Sequence, residues 1–106
     1  MNTELIEENK DLAALIKRVE NRVAENGYEP GVCLLTPQNR IVQIVKIDVR
    51  INVKYGMHEF IVFAYCRGWL KSNAWSGLSR ILIQLTSIIH PVFQPIIVPN
   101  PEEQDG

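Results

Sequence analysis

The sequence has no run of the roughly 20 apolar residues that a helix needs to cross a bilayer. Nor does it show a basic leader followed by an apolar stretch, so no secretory signal is expected. Cysteine is scarce, with two in 106 residues, which excludes a disulfide-framed scaffold. No charge of one sign dominates: 11 Lys and Arg face 12 Asp and Glu, net −1, unlike a polycation or an acidic disordered chain. What is there, 46% hydrophobic and 22% charged residues, is the profile of one globular domain. At this length folding buries roughly two thirds of the surface of the unfolded chain, enough for one modest core.

Cys33 and Cys66 both sit inside apolar runs, Val32-Cys33-Leu34-Leu35 and Ala64-Tyr65-Cys66. They read as two buried, reduced thiols of a cytoplasmic protein. A metal pair would need further ligands at zinc-like spacing, and the sequence offers none, so neither metal nor cofactor is expected.

From Thr3 to Asn26 the pattern is helical. Leu5, Asn9, Leu12, Ile16, Val19 and Val23 recur at alternating spacings of four and three, the rhythm of a two-helix seam with Asn9 where a coiled coil places a register-fixing polar residue. The same stripe also suits an amphipathic helix lying on a sheet. Asn2 or Thr3 can cap this helix, and Gly27 can close it in the left-handed conformation.

Strands follow. Val32 to Thr36 is a short apolar segment stopped by Pro37. From Val45 to Lys54, Val45, Ile47, Val49, Ile51 and Val53 alternate with Lys46, Asp48, Arg50, Asn52 and Lys54, the period-2 signature of a sheet with one buried and one wet face. Val42 and Ile44 are apolar in the opposite phase, which implies a bulge, a bend or cover on the second face near Ile44. After a turn at Tyr55-Gly56-Met57-His58, the stretch Glu59 to Arg67 is almost continuously apolar and rich in β-formers, so it is central or covered on both faces.

Gly68 to Ser76 connects onward and carries both tryptophans, Trp69 and Trp75. Leu78, Ile81, Leu82, Leu85, Ile88 and Ile89 then fit helical spacing, predicting a second helix over 78–89, with a fourth strand as the competing reading. Prolines 95, 99 and 101 break the last stretch. It is expected to lie extended across an apolar surface as far as Val98. The fold expected is therefore α+β: an N-terminal helix, a three-stranded antiparallel meander, a second helix and a Pro-rich acidic tail. Residues 1–98 form one domain and residues 99–106 a disordered tail.

Charge separates along the chain. Residues 1–29 hold seven acids and four bases, net −3, whereas residues 40–80 hold seven bases and two acids, net +5. Lys46, Arg50 and Lys54 share one strand face at steps of about 13 Å, and Arg67 and Lys71 extend the basic set. Such a face can meet a phosphate backbone or an acidic protein, and it can equally be solvated surface. The usual nucleic-acid machinery is absent: no RNP aromatic pair, GXXG loop, zinc finger or Arg-rich recognition helix.

Catalytic signatures are equally missing. His58 and Glu59 are sequence neighbours and would point to opposite faces of a strand, while His90 precedes a proline at a predicted helix end. No serine or cysteine stands in an activated context, and the glycines form no phosphate-cradling spacing. The sequence thus points away from an enzyme and toward an interaction module, an adaptor, chaperone or inhibitor that binds another protein and pairs as a homodimer. Its partner-binding surface would be the helix seam, with Trp69 and Trp75 as candidate anchors. The alternative is a nucleic-acid-binding accessory protein using Lys46, Arg50, Lys54, Arg67 and Lys71. A small-molecule pocket lined by Tyr65, Trp69 and Trp75 is a third reading.

Overall fold

A computed structural model describes residues 3–87 and 95–103. One helix, α1 (Thr3–Glu25), precedes β1 (Cys33–Leu35), β2 (Ile41–Lys54), β3 (Met57–Gly68), β4 (Ile81–Ser87) and β5 (Ile96–Val98), and a 3-10 turn spans Pro101–Glu103. The strands form one antiparallel sheet in the order β4-β3-β2-β1-β5.

The end of α1 is fixed by its own backbone. Gly27, at φ 93°, donates to the Ala24 carbonyl at 2.9 Å and Tyr28 donates to that of Val23 at 3.2 Å. This is the double closure that a left-handed residue permits. It turns Tyr28 back onto the core beside Val23, where its hydroxyl donates to the Pro95 carbonyl at 2.9 Å.

β2 and β3 form the long central hairpin, joined by Tyr55 and Gly56, both at positive φ, as a two-residue turn matched to strand twist requires. Near its other end Ile44 opposes Cys66 and Lys46 opposes Tyr65, leaving Val45 unpaired and 44% exposed. That bulge is the phase change seen in the sequence between Ile44 and Ile47. It lets Val42 and Ile44 share the inner face with Ile47 and Val49.

The stretch read as a second helix over 78–89 is instead a strand over Ile81–Ser87, so the sheet has five strands rather than three. Ile81 and Ile83 oppose Cys66 and Ala64. Leu85, left over at a second bulge, is fully buried. Burying Ile81, Ile83 and Leu85 follows period two, and β4 supplies the hydrogen-bonding neighbour that the second edge of β3 demands.

The tail expectation also changes. Ile96–Val98 pairs with β1 as β5, and Pro101–Glu103 form a turn whose start is capped by the Asn100 side chain accepting from the Glu102 N–H at 3.0 Å. Residues 88–94 and 104–106 lie outside the described part, as do the side chains of Leu5, Asn9, Lys54 and His58.

The core sits between the inner face of the sheet and the last turns of α1. Leu34, Val42, Ile44, Val62, Ala64, Cys66 and Leu85 form it with Val19, Val23 and Tyr28. The radius of gyration is 16.6 Å, against about 13 Å for a compact domain of this size. The chain is extended, and elements therefore project beyond the core.

Candidate binding surfaces

The first surface is the apolar stripe of α1, which the structure divides. Val19 and Val23 are buried in the core, Leu12 and Ile16 are half-buried, and Leu15, which the seam did not include, is 36% exposed. Of the strands, β2 is the main support of the helix. Beside it an open groove of about 520 Å³ runs between Leu15, Arg18, Arg22 and Phe60. Two of the six seam residues are thus spent on the chain's own sheet, and the exposed apolar surface lies nearer the helix N-terminus.

The second surface is the outer face of the sheet. Strand alternation sends Gln43, Lys46, Asp48 and Arg50 of β2 to this side, together with Ile61, Phe63, Tyr65 and Arg67 of β3. Trp69 continues the column, bridging Trp75 in an antiparallel pair with ring centroids 4.8 Å apart at 67°. The tryptophans therefore pack on each other at the end of the sheet. β3 presents Phe63, Tyr65, Arg67 and Trp69 at successive outward positions, a column that a reading based on charge alone does not reveal.

Cations lie on this column. The Arg50 guanidinium sits 4.7 Å above the Phe63 ring and donates to the Tyr65 hydroxyl at 2.9 Å. It also meets Asp48 at 3.4 Å in an exposed ion pair, a geometry that adds little. Its hydrogen bond to Tyr65, and then Asp48, hold its pKa above the ordinary arginine value. The Arg67 guanidinium lies 5.3 Å over Trp75, and its Nε–H donates to the Gln43 oxygen at 2.8 Å. Lys46 is exposed directly opposite Tyr65, and Lys71 is exposed in the tryptophan loop. Of the expected basic set, then, Lys46, Arg50 and Arg67 share the face, Lys71 stands beyond its end, and the Lys54 side chain lies outside the described part.

The thiols lie on opposite faces, Cys33 outward and Cys66 inward, and both are free and buried. Burial pushes the Cys66 thiol up to about 11. Cys33 is also raised, first by burial and then by Glu103 and Glu102, with Arg67 acting the other way. Neither is poised as a thiolate nucleophile at neutral pH.

An apolar groove of about 390 Å³ lies between β1 and β4, lined by Leu34, Pro37, Leu82, Pro95 and Ile96 among others. Tyr65, Trp69 and Trp75 do not line this groove. Among the described residues, no group of three His, Cys, Asp or Glu could hold a metal ion, and no helix is long and apolar enough to cross a membrane. No protein-family model, curated protein or solved structure matches the chain.

Proposed function

We propose that this chain is a protein-protein interaction module, an adaptor, chaperone or inhibitor rather than an enzyme, and that it works as a homodimer paired through α1. The observation that carries this reading is the division of the helix stripe. Val19 and Val23 anchor α1 to the sheet, while Leu12, Leu15 and Ile16 remain wholly or partly open to solvent. An amphipathic helix gains most of its stability from burying its apolar side. One that projects past its own core is completed by a second surface.

A second copy suits that role because the helix is charge-polarised. Glu4, Glu7, Glu8 and Asp11 stand against Lys10 in its first half, net −3, whereas Lys17, Arg18 and Arg22 stand against Glu20 and Glu25 in its second, net +1. Two copies running antiparallel about a twofold axis set acidic half against basic half, an isologous and self-complementary arrangement. Cytoplasmic residence fits the two free thiols.

Light scattering at micromolar concentration tests the reading. The mass expected is that of two chains, returning to one when Leu12 and Leu15 are replaced by Glu. A wild-type protein of single-chain mass at about 100 μM overturns it.

A further inference from the structure

The outer face of the β2–β3 hairpin combines two features that ordinary solvated surface does not need together. Solvent-facing strand positions are commonly Thr, Lys, Glu or Ser, which leave little to bury. Here the outward positions of β3 are Phe63, Tyr65, Arg67 and Trp69, with Trp75 beside Trp69. Each of these side chains is only half-buried. Across from them on β2 stand Lys46 and Arg50, four residues and about 13 Å apart.

The acids nearby are few. Asp48 is the acid within the β2 stripe and is held by Arg50, while Glu102 and Glu103 border the far end near Cys33. A protein interface concentrates apolar groups at its centre and moves charge to the rim. On this face the cations lie over and between the rings: Arg50 on Phe63, Arg67 on Trp75, and Lys46 opposite Tyr65.

We propose that this face is a binding platform for single-stranded nucleic acid. Successive outward positions on a strand are about 7 Å apart, roughly twice the 3.4 Å rise between stacked bases. A strand laid along β3 can therefore place a base on each ring or ring-backed guanidinium in an opened-out conformation. Stacking of this kind tolerates any sequence, because every base has a π-face. Lys46, Arg50 and Arg67 neutralise the backbone alongside, and the exposed side-chain amide of Gln84, which flanks the column on β4, lies within the same face to meet base edges. Duplex DNA is a poor fit, since its bases are stacked inside and cannot reach the rings.

The chain carries its own reporter. Its two tryptophans, Trp69 and Trp75, are both at this site, so fluorescence quenching reads this face and no other. The experiment titrates the full chain with an oligothymidylate of about 15 nucleotides, following tryptophan emission and the polarisation of an end-labelled strand. A blunt duplex and polyglutamate serve as comparison ligands.

The expected result is saturable quenching by the single strand. Three neutralised phosphates give a log-log salt slope of about −2, a loss in affinity of roughly 20-fold between about 50 and 200 mM salt. Lys46→Gln, at an exposed side chain that makes no described hydrogen bond, should reduce the slope to about −1.4 with an unchanged circular dichroism spectrum. Tyr65→Leu should weaken binding while leaving the slope in place.

Absence of binding at 50 mM salt overturns the proposal. So does binding without quenching, an unchanged slope in Lys46→Gln, or equal affinity for the duplex. Polyglutamate binding as tightly as the oligonucleotide would make the face a site for acidic proteins, and would also overturn it. The outcome is independent of whether the chain is a dimer, because α1 packs against the opposite side of the sheet.

Discussion

Arg67 and Gln43, paired across β2 and β3, form the centre of a polar relay on the outer face. The Arg67 Nε–H donates to the Gln43 oxygen at 2.8 Å, and the Gln43 amide donates to the Gly31 carbonyl at 3.1 Å. Gln43 is 8% exposed, the one buried polar residue of the described chain. The relay ties the turn before β1 to the middle of the sheet and sets Arg67 over Trp75.

Replacing Gln43 by Ala leaves the part-buried Gly31 carbonyl and one guanidinium N–H without their partner. The expected cost is about 1–3 kcal/mol, measured by urea unfolding. Tryptophan emission should shift with it, because the cation above Trp75 loses its anchor. A stability and spectrum equal to the wild type would contradict the relay.

The hairpin turn offers a stabilising change. Tyr55 is 94% exposed and sits at φ 53°, followed by Gly56 at φ 73°. A left-handed conformation costs a bulky residue roughly 1–2 kcal/mol, much of which Asn avoids. Tyr55→Asn should therefore raise stability by about 1 kcal/mol, read as a higher urea midpoint at constant slope. A lower midpoint would refute that turn geometry.

Strand β4 makes a separable forecast. Leu82 faces outward at 44% exposure, whereas Ile83 faces the core. Leu82→Lys should change stability by no more than about 0.5 kcal/mol, and Ile83→Lys should cost several kcal/mol by burying a charge. In a helix over 78–89, Leu82 would lie on the buried side with Ile81 and Leu85, and its substitution would be the damaging one.

Alkaline pH should destabilise the fold. Burial raises the Cys66 thiol from about 9 to about 11, and Cys33 and Tyr28 move the same way. The unfolded chain therefore loses its protons first, and stability falls as pH climbs from about 9 to 11. Cys66 alone accounts for a loss on the order of 1–2 kcal/mol, which Cys66→Ala should remove from the pH profile. Thiol reagents should label both cysteines at the rate of unfolding, a readout that an accessible thiolate would fail.

Much of this architecture was legible in the residues. Val45 to Lys54 announces its strand because alternation leaves no other way to bury Ile47, Val49 and Ile51 together. The phase change at Ile44 is the bulge, and Gly27 ends the helix as its position implies. Residues 78–89 misled because Ile81 and Leu85 satisfy both a 3.6-residue and a two-residue period; Ile83, which fits only the latter, decided it. The pairing of β4 with β3 is non-local, although a strand apolar on both faces already requires neighbours at both edges. On the site, local sequence revealed the cations on β2. The column Phe63, Tyr65, Arg67 and Trp69 was hidden inside a segment whose inward residues, Val62, Ala64 and Cys66, are apolar too. In the sequence the helix seam is one continuous surface, yet Val19 and Val23 serve the core, and only the sheet's position shows where self-packing stops.

The most direct test of the account is the mass of the wild-type chain in solution, measured by light scattering across a range of concentrations beside the Leu12→Glu, Leu15→Glu double variant. Two chains are expected for the wild type and one for the variant, with the same sheet signature in both circular dichroism spectra. A single-chain mass for the wild type at about 100 μM, or a dimer that survives both substitutions, would contradict it.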